Sequence, residues 1–159
     1  MSSQNINKRT SLGILVVLLL TVLLAWFFID TGSWYQSLIK PAFQAPGWLL
    51  VSIWIVLLIC IGIASYLVIM GNSPLKQRIL VLYGINLALS VLWFFLFFTL
   101  QHPLLAFFII MIIWASTAAM IATSSPVSEK TVRLLLPYLL WITYVGVLNH
   151  SIIMLNSLW

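Results

Sequence analysis

The sequence predicts an all-α integral membrane protein, a five-transmembrane-helix bundle with a structured first loop acting as a lid. Three observations predict it. Of the 159 residues, 64% are hydrophobic and 6% charged, against about 45–50% and about 25% in soluble domains, so a water-soluble surface cannot be built from them. Charge-free apolar stretches recur near the length of about 20 residues that a helix needs to cross a bilayer. Lys and Arg then sort to one side of the spans so defined, as the loops of a cytoplasmic face do.

The first span, about 10–29, follows Lys8 and Arg9. A signal peptide begins the same way, but Leu12 to Ile29 is long for one and Asp30-Thr31-Gly32-Ser33 lacks a small-residue cleavage pattern, so the span is expected to be retained. The second, about 47–70, stops at the turn sequence Gly71-Asn72-Ser73-Pro74. No Asp, Glu, Lys or Arg stands between Ile79 and Ser128, too long a stretch for one crossing, and Gln101-His102-Pro103 divides it. The proline lacks a backbone donor and turns its predecessor away from helix, giving spans of about 79–100 and 104–123. The fifth span, about 131–156, follows Ser124-Ser125-Pro126. Each span is helical because lipid offers the backbone no hydrogen-bond partner. With five spans, Lys8, Arg9, Lys76, Arg78, Lys130 and Arg133 share one side and Lys40 faces the other, which puts the amino terminus inside and the carboxyl terminus outside. Residues 1–159 form one domain, undivided by any linker or low-complexity tract.

The same residues exclude several functions. The net charge of +5 is scattered and makes no phosphate-tracking stripe, so no nucleic-acid partner is expected. Cys60 is the sole cysteine, which rules out an internal disulfide or a cysteine metal cage. Asp30 and Glu129 fall on opposite sides of the membrane and cannot act as a carboxylate pair. Phosphate loops, H-E-x-x-H and G-x-S-x-G are missing. Apart from histidine the spans carry no ionisable chain of the kind that couples transport to ions. His150 is open to haem ligation or to a hydrogen-bonded structural role; no metal and no obligatory cofactor are expected.

The loop 30–46 is long for a helix bundle and carries Trp34, Tyr35, Lys40, Pro41, Phe43 and Pro46. It reads either as an interfacial aromatic belt with Lys40 meeting lipid phosphate or as a functional lid. In span two, Trp54, Leu58, Ile61 and Ser65 share a face; in span three, Tyr83, Asn86, Ser90, Trp93 and Phe97 do. Interhelical hydrogen bonding and an orienting wall for an aromatic ligand both explain such polar-aromatic stripes. Span four carries small residues from Ala115 to Ala122 for close packing, against an internal helix or a second protomer. In span five, Pro137, Trp141, Tyr144 and Leu148 lie on one broad face, and the proline predicts a bend or a widened cavity one turn before Trp141.

Trp34-Tyr35-x-x-Leu38-x-Lys40-Pro41-x-Phe43-x-Ala45-Pro46 resembles the first-loop signature of the TspO/MBR family of tryptophan-rich sensory and translocator proteins. Trp54, Gly62-x-Ala64, Leu87-x-Leu89-x-x-x-Trp93, Pro137-Tyr138-Leu139-x-Trp141 and Leu148-Asn149 agree with it in order. The resemblance implies five helices, a homodimer in a bacterial cell membrane, lipid around it, and a pocket for protoporphyrin, haem and other hydrophobic molecules. It assigns Tyr35 and Pro46 to the lid, Trp54, Ser90, Trp93 and Trp141 to the pocket wall, with Phe94 beside them, and Val145 to the floor. It also implies that Trp54 and Trp141 would serve as catalytic indoles in any light-dependent porphyrin breakdown. Ala45 stands where the family commonly has the first of two prolines, Ser90 where it commonly has asparagine, and Phe94 where a small polar residue is frequent. Val147-Leu148-Asn149-His150-Ser151, with no Lys or Arg after it, lacks the tyrosine and basic residue of the animal cholesterol segment.

Overall fold

The computed structural model describes residues 3–71 and 73–158, with side chains from Ser11 onward. Lys8 and Arg9 lie on α1, but their side chains fall outside the described residues, as does Asn72 of the expected turn. The helices in chain order are α1 (Ser3–Phe28), α2 (Ser33–Ser37), α3 (Gly47–Met70), α4 (Lys76–Phe94), α5 (Pro103–Ser124) and α6 (Glu129–Asn156). There is no strand among the described residues. All but α2 are long and apolar enough to cross a membrane, α4 doing so together with the π-helical turn Phe95–Thr99 that continues it. The chain is an integral membrane protein of five helices, with α2 inside the first loop.

Helix boundaries follow local chemistry. Pro103 opens α5 in the first turn, where its missing N–H has no helical acceptor to lose. Glu129 stands in the first turn of α6, where a carboxylate faces the positive end of the helix dipole. Between α4 and α5, Leu100 N–H donates to Phe95 O and His102 N–H to Leu96 O. Gln101 then reverses the chain in the left-handed region at φ 55°.

The packing order is set by α6, which lies against both α5 and α3, while α4 packs on α5. α1 rests on α3 and α4 at the periphery, with most of its side chains left for lipid. It approaches α3 at Gly62, where a β-carbon would fall 2.6 Å from Leu18 Cδ1. The span-three stripe turns wholly inward: Tyr83, Asn86, Ser90, Trp93 and Phe97 are all buried. That is the outcome of helical periodicity when one face alone carries groups that need partners.

Asn86 explains why α4, α5 and α6 meet where they do. Its Nδ2 donates to Ser116 Oγ (2.6 Å), Thr117 Oγ1 (3.0 Å) and Ile113 O (3.3 Å) on α5. Its Oδ1 accepts from Tyr138 OH of α6 at 2.8 Å. The small residues of α5 thus have an internal partner, and Ser116 and Thr117 supply acceptors as well as space.

Candidate functional site

At the lid, the first loop is a folded element. Asn156, in the last turn of α6, clips its middle: Ile39 N–H donates to Asn156 Oδ1 (2.8 Å) and Asn156 Nδ2 to Ile39 O (2.9 Å). Tyr144, three turns deeper on α6, holds the later part, accepting from Ala45 N–H (3.0 Å) and donating to Phe43 O (3.3 Å). Tyr35 is half-buried; its hydroxyl accepts from Gln44 Nε2 (3.1 Å), and Lys40 Nζ sits 4.3 Å from its ring centroid. Burial pushes the Tyr35 phenol above its ordinary pKa; the Gln44 hydrogen bond opposes the shift and Tyr144 adds to it. Pro46 is exposed and caps α3 at its amino end.

Beneath the lid lies a continuous aromatic cluster. Trp54 meets Phe94 (centroids 5.5 Å apart) and Tyr138 (6.2 Å); Phe94 meets Trp93 (4.9 Å) and stacks on Phe98 (6.1 Å). The π-helical turn carries Phe97 and Phe98 on consecutive positions, and both reach the lid, through Trp34 (5.9 Å) and Tyr35 (5.4 Å). An inserted residue in a helix re-aims the side chains around it, which is what a π turn accomplishes here.

The structure therefore brings together Tyr35, Trp54, Ser90, Trp93, Phe94 and Val145, and packs the last four closely, at 2%, 7%, 8% and 3% exposure. Their polar groups have partners. Ser90 Oγ donates to Asn86 O (2.9 Å) and lies 3.2 Å from Tyr138 OH, while Trp93 Nε1 donates to Asn149 Oδ1 (3.1 Å). Asn149 in turn donates to Pro103 O (3.0 Å). Tyr138, fully buried, occupies the centre that the span-five motif had only hinted at.

Trp141 stands apart from this cluster. It packs on Tyr144 (5.1 Å) and lines a groove of about 510 Å³ between α3 and α6, with Ile53, Leu57, Pro137 and Leu140 among its almost wholly apolar walls. The widened space expected beside Pro137 is this groove. The Trp141 indole N–H is buried and has no hydrogen-bond partner, and neither has Gln44 Oε1 in the lid above. An orphaned indole N–H on a residue that lines an open apolar groove suits a ligand that is mainly apolar and carries a few polar atoms. Sequence periodicity pointed to Trp141; Gln44 and the lid clip Asn156–Ile39 had no signal beyond a polar side chain in an apolar setting. His150 is exposed and lies against Phe107 (5.5 Å). No group of three or more metal-ligating side chains occurs among the described residues.

Comparison with known proteins agrees with the five-helix reading. The profile of the TspO/MBR family matches residues 13–155. The chain is 33% identical over 129 residues to the tryptophan-rich protein TspO of Chlorobaculum tepidum, covering 79% of this chain and 81% of that one. It is 35% identical over 127 residues to the tryptophan-rich protein TspO of Archaeoglobus fulgidus, at 79% and 81% coverage. With the translocator protein of Homo sapiens it shares 31% over 129 residues, at 79% and 76%. A five-helix membrane bundle, a folded first loop clasped to the last helix and a sequence match over nearly the whole chain lead to one conclusion: this protein belongs to the TspO/MBR family.

Proposed function

We propose that this protein is a membrane receptor or translocator for tetrapyrroles such as protoporphyrin and haem, and for other hydrophobic molecules. The observation that supports it most is Trp141 itself, whose ring lines the α3–α6 groove and whose buried N–H has no hydrogen-bond partner. A planar macrocycle stacks on an indole and covers the apolar walls, and a polar atom at its rim accepts the N–H. Val56 and Leu140, which line the groove, are exposed on membrane-spanning helices, so a ligand dissolved in lipid can reach it. Titration of the purified protein with protoporphyrin should quench tryptophan fluorescence saturably. Trp141→Phe should weaken binding by about 0.5–1.5 kcal/mol, the worth of one hydrogen bond. Absence of saturable quenching would sink the proposal.

The proposal extends to light- and oxygen-dependent porphyrin breakdown, with the protein supplying binding and orientation and the excited porphyrin the chemistry. Trp54 and Trp141 would be the indoles concerned. If Trp54→Phe and Trp141→Phe keep porphyrin bound and leave its loss under illumination unchanged, catalysis by these indoles is wrong. A purely structural role is the competing reading, favoured by the hydrogen-bonded and tightly packed surroundings of Ser90 and Trp93; it predicts no ligand at any concentration. A homodimer in a bacterial cell membrane completes the proposal, supported by the family resemblance. Crosslinking in native membranes that yields monomer alone would refute the dimer.

A further inference from the structure

The lid forms a second groove with α6, away from Trp141. Residues 39–43 make one wall and His150, Ser151, Met154 and Leu155 the other, around a volume of about 460 Å³. Unlike the first groove it joins apolar walls to a cation and an imidazole. The loop descends along α6, from Ile39 at Asn156 to Phe43 at Tyr144, so the groove runs along the helix from its outer end inward.

The Lys40 charge in it rests on the Tyr35 ring and is uncompensated by a carboxylate among the described residues. Asp30, the acidic residue of this loop, accepts from Gly32 N–H instead. The one ion pair among the described residues, Glu129–Arg133, stands at the start of α6, the far end of that helix. Met154 and Leu155 are about half exposed, and the reciprocal Asn156–Ile39 hydrogen bonds hold the two walls at a fixed spacing.

We propose that this groove is a binding site for a phospholipid of the lid-side leaflet. Lys40 meets the phosphate at the outer end, where a cation on an apolar stem attracts anionic headgroups. His150 precedes Asn156 by about 9 Å along α6, from the rise per residue, and so lies deeper from the outer end. It is therefore at the depth of the glycerol esters, where an imidazole N–H can donate to an ester carbonyl. Met154, Leu155 and Phe43 cover the glycerol and the first methylenes. The occupant is an anionic amphiphile, since a free phosphate would leave the apolar walls uncovered and a neutral diglyceride would leave Lys40 unmatched.

The test uses the full chain, purified in detergent and stripped of lipid, with a short-chain phosphatidylglycerol as probe. Native mass spectrometry and thermal stability are read together. Saturable binding of one lipid is expected, with Lys40→Gln weakening it roughly fivefold, as removal of one basic group near an anionic surface does. Lys40→Arg should restore it, and Trp141→Phe should leave it unchanged, which separates this site from the tetrapyrrole groove. His150→Phe keeps the ring against Phe107 and removes the N–H, so it should weaken binding even if Lys40→Gln fails to fold. Equal effects of diacylglycerol or of glycerol phosphate alone would overturn the proposal. So would unchanged lipid binding in both Lys40→Gln and His150→Phe.

Discussion

Asn86 uses both ends of its amide to join three helices, and the cost of disturbing it can be bounded. Tyr138→Phe removes the donor to Asn86 Oδ1 and a neighbour of Ser90 while leaving the ring in contact with Trp54. Interhelical hydrogen bonds in membranes average about 0.6 kcal/mol and reach about 1.7 kcal/mol. The substitution should therefore destabilise the bundle by roughly 1 kcal/mol in reversible unfolding in detergent or bicelles. Ser90 bears on the resemblance more directly. The family resemblance implies asparagine at its place, yet its hydroxyl already bonds Asn86 O and the side chain is buried. Ser90→Asn should overpack this layer and cost about 1–3 kcal/mol, measured the same way. A neutral result would mean that space beside Tyr138 is available to a ligand.

Ala45 gives the lid its own logic. A proline at that position would have no N–H, so it could not make the bond from Ala45 to Tyr144 OH. Ala45→Pro should free Tyr144 from one of its two loop contacts. Hydrogen exchange over residues 39–46 should then speed up, with helix cores unaffected. Asn156→Ala should do more, because it removes both bonds to Ile39. The phenol of Tyr35 adds a pH dependence whose sign is fixed. Its pKa in the closed lid is raised above the ordinary value of 10.0, chiefly by burial, so the closed form prefers the neutral phenol. An open lid ionises first as pH rises. Closure is therefore fully favoured below pH 10 and is lost progressively above it. Exchange at the lid should accelerate above that pH in the wild type and less in Tyr35→Phe.

At the scale of the whole molecule, the five spans were legible because bilayer thickness sets helix length and prolines set the breaks. The helix that ends near Phe28, the start of α3 at Gly47 and the end of α6 at Asn156 all fall within a residue or so of the expected spans. The inward stripe of α4 was legible for the same reason, since periodicity survives packing. What periodicity cannot give is azimuth relative to neighbours. The family resemblance put Trp54 and Trp141 in one pocket wall, whereas Trp54 joins the central cluster and Trp141 turns to the α3–α6 groove. Gln44 and Asn156 act across about 9 and 117 residues of chain, respectively, and no local pattern announces such partners. Orientation is the remaining global property, and basic residues set it. Lys76 and Arg78 open α4, while Lys130 and Arg133 stand in the first turns of α6, so all four share one side of the bundle. Glu129 pairs with Arg133 at 3.1 Å, but acidic residues contribute little to topology. The amino terminus should then be inside and the carboxyl terminus outside. Alkaline phosphatase fused after Trp159 should be active and a green fluorescent protein fusion there dark. Replacing the four basic residues by Gln should lower the phosphatase signal, because only Lys8 and Arg9 would then oppose Lys40 and the asymmetry that holds the bundle in place is much reduced. A fluorescent carboxyl-terminal fusion on the wild-type chain would overturn the assignment and move Lys40 and its groove to the inner leaflet.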